Sequence, residues 1–147
     1  MKTIQTSSDL QKIVDVCKDS VEGYKMAAEK TTNNTLKTLF LRLTQQRRRF
    51  IEEIKSEARR LGVKIDADGT VKGYFHRHWL ATKATFGSDT NQQVIDESIR
   101  GEKKAVEIYS KVFINRNLPE YLYLRLKEQQ SQFQVAITQL RNIVVDY

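Results

Sequence analysis

Helix breakers, paired cysteines and long apolar runs are all scarce in this chain, and each shortage removes a class of architecture. There is one proline, Pro119, and there are six glycines in 147 residues, too few turn-formers for an all-β domain with a turn every ten residues or so. A single cysteine, Cys17, excludes an internal disulfide and makes a reducing cytoplasm the expected setting. No stretch approaches the ~18 apolar residues of a membrane span, and Met1 to Leu10 is too polar for a secretory signal. Only two histidines are present, and no phosphate-cradling glycine loop or serine-nucleophile motif occurs.

What remains is a chain with 39% hydrophobic and 29% charged residues, a balance that suits helices with one buried face. The length fits one domain, residues 1–147. The net charge of +7 would suit an acidic partner, but a solvated surface with a basic bias explains it as well. Arg47, Arg48 and Arg49 make the second helix the most basic element. At 100° per residue they point three ways, so nucleic-acid binding is not the favoured reading.

Apolar spacing of three and four predicts four helices. The first should start near the capping box Ser8-Asp9-Leu10-Gln11 and carry Leu10, Ile13, Val14, Cys17, Val21, Tyr24 and Ala28 inward. A polar break, Thr31-Thr32-Asn33-Asn34, offers two N-cap residues. The second helix carries Leu36, Leu39, Phe40, Leu43, Phe50, Ile54 and Leu61, and Gly62 is placed to terminate it. The third should span about Thr90 to Phe113. The fourth should start at Pro119 and run to the end, with Leu122, Leu126, Phe133, Ile137, Leu140 and Val144 inward.

The halves resemble each other. Ser20, Gly23, Lys25, Ala27 and Glu29 recur as Ser98, Gly101, Lys103, Ala105 and Glu107. Leu41, Arg42, Leu43, Gln46 and Phe50 recur as Leu124, Arg125, Leu126, Gln129 and Phe133. Two short turns imply two antiparallel hairpins. The connector, residues 62–88, is long enough to run back along the bundle and leave helices 2 and 3 parallel. The expected fold is therefore an all-α, ferritin-like four-helix bundle with one long crossover.

Val21-Glu22-Gly23-Tyr24, Gln45-Gln46-Arg47, His76-Arg77-His78-Trp79 and Arg100-Gly101-Glu102 together resemble a bacterial ferritin-like family labelled domain of unknown function 2383. The resemblance covers nearly the whole chain, departing at His78 and in the aromatic start of the fourth helix. It implies the four-helix ferritin-like fold and no established activity.

A di-iron bundle takes one Glu from each of two helices and a Glu-x-x-His from each of the other two. The repeat places Gln46-x-x-Arg49 and Gln129-x-x-Gln132 where those motifs belong. Amides replace both glutamates, no histidine follows, and a guanidinium has no acceptor with which to bind a metal. No cofactor is therefore expected.

Tyr24, Gln46, Glu102 and Gln129 fall on otherwise apolar stripes and predict a polar band near mid-bundle, flanked by Glu22, Arg49 and Arg100. Three readings fit it: a hydrogen-bonded structural network, a residual metal or small-ligand site at Glu22 and Glu102, or a Glu102 that faces the rim. Glu22 and Arg100 could pair across the bundle. With only amides and a phenol facing Glu102, Glu102→Gln should be neutral or stabilising, and a destabilised mutant would point to Arg49 or Arg100.

In the connector, Phe75, His76, His78 and Trp79 form the most distinctive stretch. They could cover the bundle, bind zinc through His-x-His, or present an aromatic patch to a partner; Trp79 is expected to be buried. Asp66-Ala67-Asp68-Gly69 lacks the spacing of a calcium loop and reads as a turn. The function expected is a non-catalytic binding or interaction module for a protein partner, a second copy or a ligand, with no membrane association. Degenerate metal binding is the alternative.

Overall fold

The computed structural model describes residues 2–68 and 91–143. Among them are four helices and no strand: α1 (Lys2–Lys30), α2 (Asn34–Leu61), α3 (Asn91–Val112) and α4 (Glu120–Asn142). The chain is an all-α four-helix bundle.

Local chemistry sets most of the helix ends. Asn33 caps α2, its side-chain oxygen accepting from the Leu36 N–H at 2.9 Å. At the other end Gly62 turns left-handed (φ 69°, ψ 25°). The Gly62 N–H then donates to the Arg59 carbonyl and the Val63 N–H to the Ala58 carbonyl, which closes the helix as the glycine predicts. Pro119 stands just before α4, and the Tyr123 N–H donates to its carbonyl.

The expected start of α1 near Ser8 is corrected to Lys2. The extra turns are fastened by side chains rather than by a cap. Gln5 donates to Asp9 four residues on, and the Ser7 hydroxyl donates to the Lys64 carbonyl. Gln11 exchanges two hydrogen bonds with the backbone of Asp66, so the segment after α2 is tied back to α1. There the Asp68 N–H donates to the Asp66 carboxylate, making the turn expected of that sequence.

Cross-helix bonds give the directions. Ser20 of α1 meets Arg47 of α2, and Ser7 meets Lys64, so these helices are antiparallel. Thr31 bonds Asn91 and Asp9 bonds Asn115, so α1 and α3 are antiparallel too. Helices α2 and α3 consequently run parallel, on one diagonal of the bundle, so that α2 ends and α3 begins at opposite ends of it. Phe75, His76, His78 and Trp79, with most of the expected 62–88 crossover, lie outside the described residues.

The core has two apolar halves. One gathers Leu10, Ile13, Val14, Cys17, Phe50 and Ile54 with Tyr109, Leu122 and Phe133. The other gathers Tyr24, Ala27, Leu36, Phe40 and Leu43 with Val94, Ile95 and Leu140. The helices pass from one half to the other around Ser20, Arg47 and Glu102, and that level carries the site.

Gly62 tests the helix-end account. A Cβ there would meet nothing within 4 Å, so the cost of Gly62→Ala is that of the left-handed backbone alone. Urea unfolding should show a loss of about 1 kcal/mol. No loss would mean that the glycine does not terminate α2.

A buried arginine–glutamate layer as candidate functional site

Arg47 lies on α2 four residues after Leu43 and three before Phe50, the spacing of an inward position. Its side chain is fully buried, and so is that of Glu102 on the diagonally opposite helix α3. The guanidinium grips the carboxylate fork to fork. Nη1 donates to Oε1 and Nη2 to Oε2, each at 2.7 Å. Nη1 also donates to the Ser20 hydroxyl at 2.8 Å, and Nε donates to Gln46 Oε1 at 3.0 Å. The guanidinium carbon sits 3.7 Å from the ring centre of Phe133 on α4 and 5.7 Å from that of Tyr24 on α1. All four helices thus contribute to holding one cation.

The electrostatics follow from burial. Desolvation is the largest single influence and would lower the pKa of Arg47, but the charge and hydrogen bonds of Glu102, with smaller contributions from Tyr24 and Cys17, together outweigh it and hold the guanidinium above its ordinary range. Burial, and then the negative charge of Glu102, push the Tyr24 phenol well up, so it remains neutral. An unpaired ion here would be costly, whereas a bidentate pair with further donors offsets that cost.

A second network lies about one turn further into the Cys17–Phe50 half. Tyr109 donates to Gln129 Oε1 at 2.7 Å, and Gln129 donates to Glu53 at 2.9 Å. Arg125 donates to the other oxygen of Glu53 at 3.1 Å, at the half-buried edge. The Cys17 sulfur lies 3.7 Å from the Tyr109 hydroxyl. Burial pushes the thiol up to about 12.

The residues of the expected polar band therefore separate. Glu102 and Tyr24 are buried at the central layer. Gln129 is buried but serves the second network. Gln46 is only half-buried: it accepts from Arg47 and donates weakly to Gln132 at 3.4 Å. Arg49 and Arg100 do not enter, and this corrects their expected place. Two residues beyond Arg47, Arg49 has turned out to solvent. Arg100 is exposed and pairs with Glu97 on its own helix at 2.6 Å, not with Glu22 across the bundle. Glu22 is half-buried beside the stripe.

The residue missed in sequence is Arg47 itself, together with Ser20. The α2 stripe has a gap between Leu43 and Phe50 that either Gln46 or Arg47 could fill. Counting amides as interior and arginines as exterior selects the wrong neighbour. The finding also reverses the expectation for Glu102→Gln, because a formal cation does face that carboxylate.

A four-helix bundle with a charged layer at its centre is the class that fold and site define. Residues 5–115 match the family described as a domain of unknown function (DUF2383), and the chain belongs to that family. The matched span takes in α1 to α3, with Ser20, Arg47 and Glu102, and ends before α4. No curated protein matches the chain.

Two measurements probe the site. Arg47→Met leaves a buried carboxylate without its cation and should cost about 3–5 kcal/mol, as should Glu102→Gln in reverse. The double variant Arg47→Met/Glu102→Leu should regain most of that loss. Singles that each cost under ~0.5 kcal/mol would mean that the pair does not form. Separately, native Cys17 should resist a thiol reagent at pH 8, well below its raised pKa, and label only in denaturant. Rapid native labelling would contradict its burial.

Proposed function

We propose that the chain is a non-catalytic, cytoplasmic binding module with a ferritin-like fold, in which an arginine–glutamate pair stands where related architectures hold metal ions. Two antiparallel hairpins with α2 and α3 parallel support the ferritin-like assignment.

One observation carries the non-catalytic reading: both oxygens of Glu102 accept hydrogen bonds from Arg47, so the carboxylate's charge is already matched by a buried guanidinium that would also repel a metal ion beside it. The remaining side chains do not fit a di-iron centre either. Gln46 and Gln129 are committed to Arg47, Tyr109 and Glu53, and Arg49 is outside. Among the described residues, no three His, Cys, Asp or Glu side chains come together as ligands. The degenerate-metal alternative would have to displace a guanidinium from a bidentate grip.

The nucleic-acid reading also loses a charge, since Arg47 is withdrawn from the basic face of α2. No described helix is long and apolar enough to cross a membrane.

The test is metal analysis with an oxidation assay. The purified protein, exposed to ferrous iron and desalted, should retain no stoichiometric iron. It should oxidise ferrous iron in air no faster than buffer does. Two irons retained per chain, or clear acceleration, would overturn the proposal.

A further inference from the structure

Charge is unevenly shared among the faces of the bundle. A trough of about 480 Å³ between α1 and α3 carries acids and lysines together, and its buried Asp9 and Glu102 are already bonded to Gln5, Asn115 and Arg47. It selects no sign of ligand. The seam between α2 and α4 is different. Residues 34–51 of α2 hold Lys37, Arg42, Arg47, Arg48 and Arg49 and no Asp or Glu, and residues 129–142 of α4 hold Arg141 and no Asp or Glu. A surface of one sign keeps a potential that a mixed surface cancels.

The backbones of α2 and α4 barely approach each other along this seam. Gln46 bridges it to Gln132 at 3.4 Å, and beyond that bond, towards the start of α2, lies an open recess of about 430 Å³. Leu39 and Ile143 are its apolar part, and Thr35, Thr38, Gln139 and Asn142 stand with Arg42 on its wall. Arg42 is the one charge among the described lining residues. Arg49 follows seven residues later on the same flank of α2, two turns or roughly 10 Å along the helix. Both arginines are exposed, and among the described residues neither has an ion-pair or hydrogen-bond partner.

Every polar side chain on this recess can donate a hydrogen bond, and none is an acceptor-only carboxylate. Its complement is a ligand that offers acceptor oxygens and negative charge at more than one point. An ionised phosphate chain presents only such atoms, and a guanidinium fork grips a phosphate in two places. A nucleic-acid strand would find no exposed aromatic on these two segments to stack a base upon. We infer that the recess between α2 and α4 is a binding site for a short oligophosphate chain, one end held by Arg42 among Thr38, Gln139 and Asn142 and the other by Arg49. The inference rests on the proposed binding-module function and names its ligand class.

Calorimetric titration of the purified protein with tripolyphosphate, in chelator and at low salt, tests it. Tripolyphosphate should bind one to one, about tenfold or more tightly than orthophosphate, and more weakly as salt rises. Arg42→Gln should weaken it about tenfold or more, and Arg49→Gln about threefold or more. Arg48→Gln removes the same charge from a side chain turned about 100° away from Arg49 and should leave binding within about twofold. Gln139→Glu, which sets a carboxylate into the recess, should abolish binding. All four variants alter exposed side chains, so their thermal melts should match the parent. ATP as a second titrant separates the sources of the chain: binding as tight as tripolyphosphate marks a nucleotide, weaker binding marks the free chain, and either supports the site.

No binding at about millimolar tripolyphosphate would overturn the assignment. So would equal losses in Arg48→Gln and Arg42→Gln, or binding that survives Gln139→Glu, since both mark diffuse attraction to net charge. Tighter binding of a single-stranded tetranucleotide than of tripolyphosphate would mark a nucleic-acid surface instead. None of these failures bears on the metal-free centre, whereas iron retained by the protein would overturn that centre and leave this recess as it is.

Discussion

The bundle depends on one buried ion pair that joins the two helices furthest apart in its cross-section. Arg47 on α2 and Glu102 on α3 sit on a diagonal, and the backbones of these helices do not pack directly. The bidentate bond therefore crosses the interior, with Ser20 supplying a third contact from α1 and Phe133 an aromatic face from α4. Buried charges are a poor source of net stability, and an apolar replacement of similar volume is often neutral or stabilising by about 1–4 kcal/mol. What such a pair supplies is discrimination. Slipping any one helix by a turn would strand a charge in a low-dielectric interior. The layer thus offers a physical reason for a single register among four helices whose apolar faces could otherwise pack in several ways.

The same layer divides the core into halves that meet at Ser20, Arg47 and Glu102. Around it the helices approach through small residues. Ser20 and Ser98 are buried on α1 and α3, as are Gly23 and Gly101. Towards Asp9 the facing side chains no longer fill the space, and a trough lined by both acids and lysines opens there. The interior charge and the trough are adjacent, since Glu102 and Ser20 form the trough's inner end.

Much of the fold is legible in the sequence because helix ends and stripes are local properties. Gly62 and Pro119 each favour one backbone geometry and mark helix ends as read, and the polar break at residues 31–34 supplies its N-cap in Asn33. The length of chain between the hairpins was enough to predict α2 parallel to α3. The start of α1 was not legible, since Gln5, Ser7 and Gln11 hold it through partners that include Lys64 and Asp66, more than fifty residues away. The site was half legible. Glu102 and Tyr24 stand out as polar residues on apolar stripes, and the absence of any Glu-x-x-His motif is plain. Arg47 was not, because a helical stripe about 100° wide admits either of two neighbours. Only packing against Phe133 and Glu102 decides between them. The trough depends on what is missing between two helices, which no single stripe records.

The most direct test of the central claim is nitrogen-15 NMR of the Arg47 guanidinium in the native protein. A fork locked onto Glu102 and stacked on Phe133 cannot rotate freely or exchange with solvent. The account predicts separately resolved, exchange-protected Nη protons assigned to Arg47 and lost from their positions in Glu102→Gln. A single averaged, rapidly exchanging signal like that of solvated Arg48 or Arg49 would contradict it.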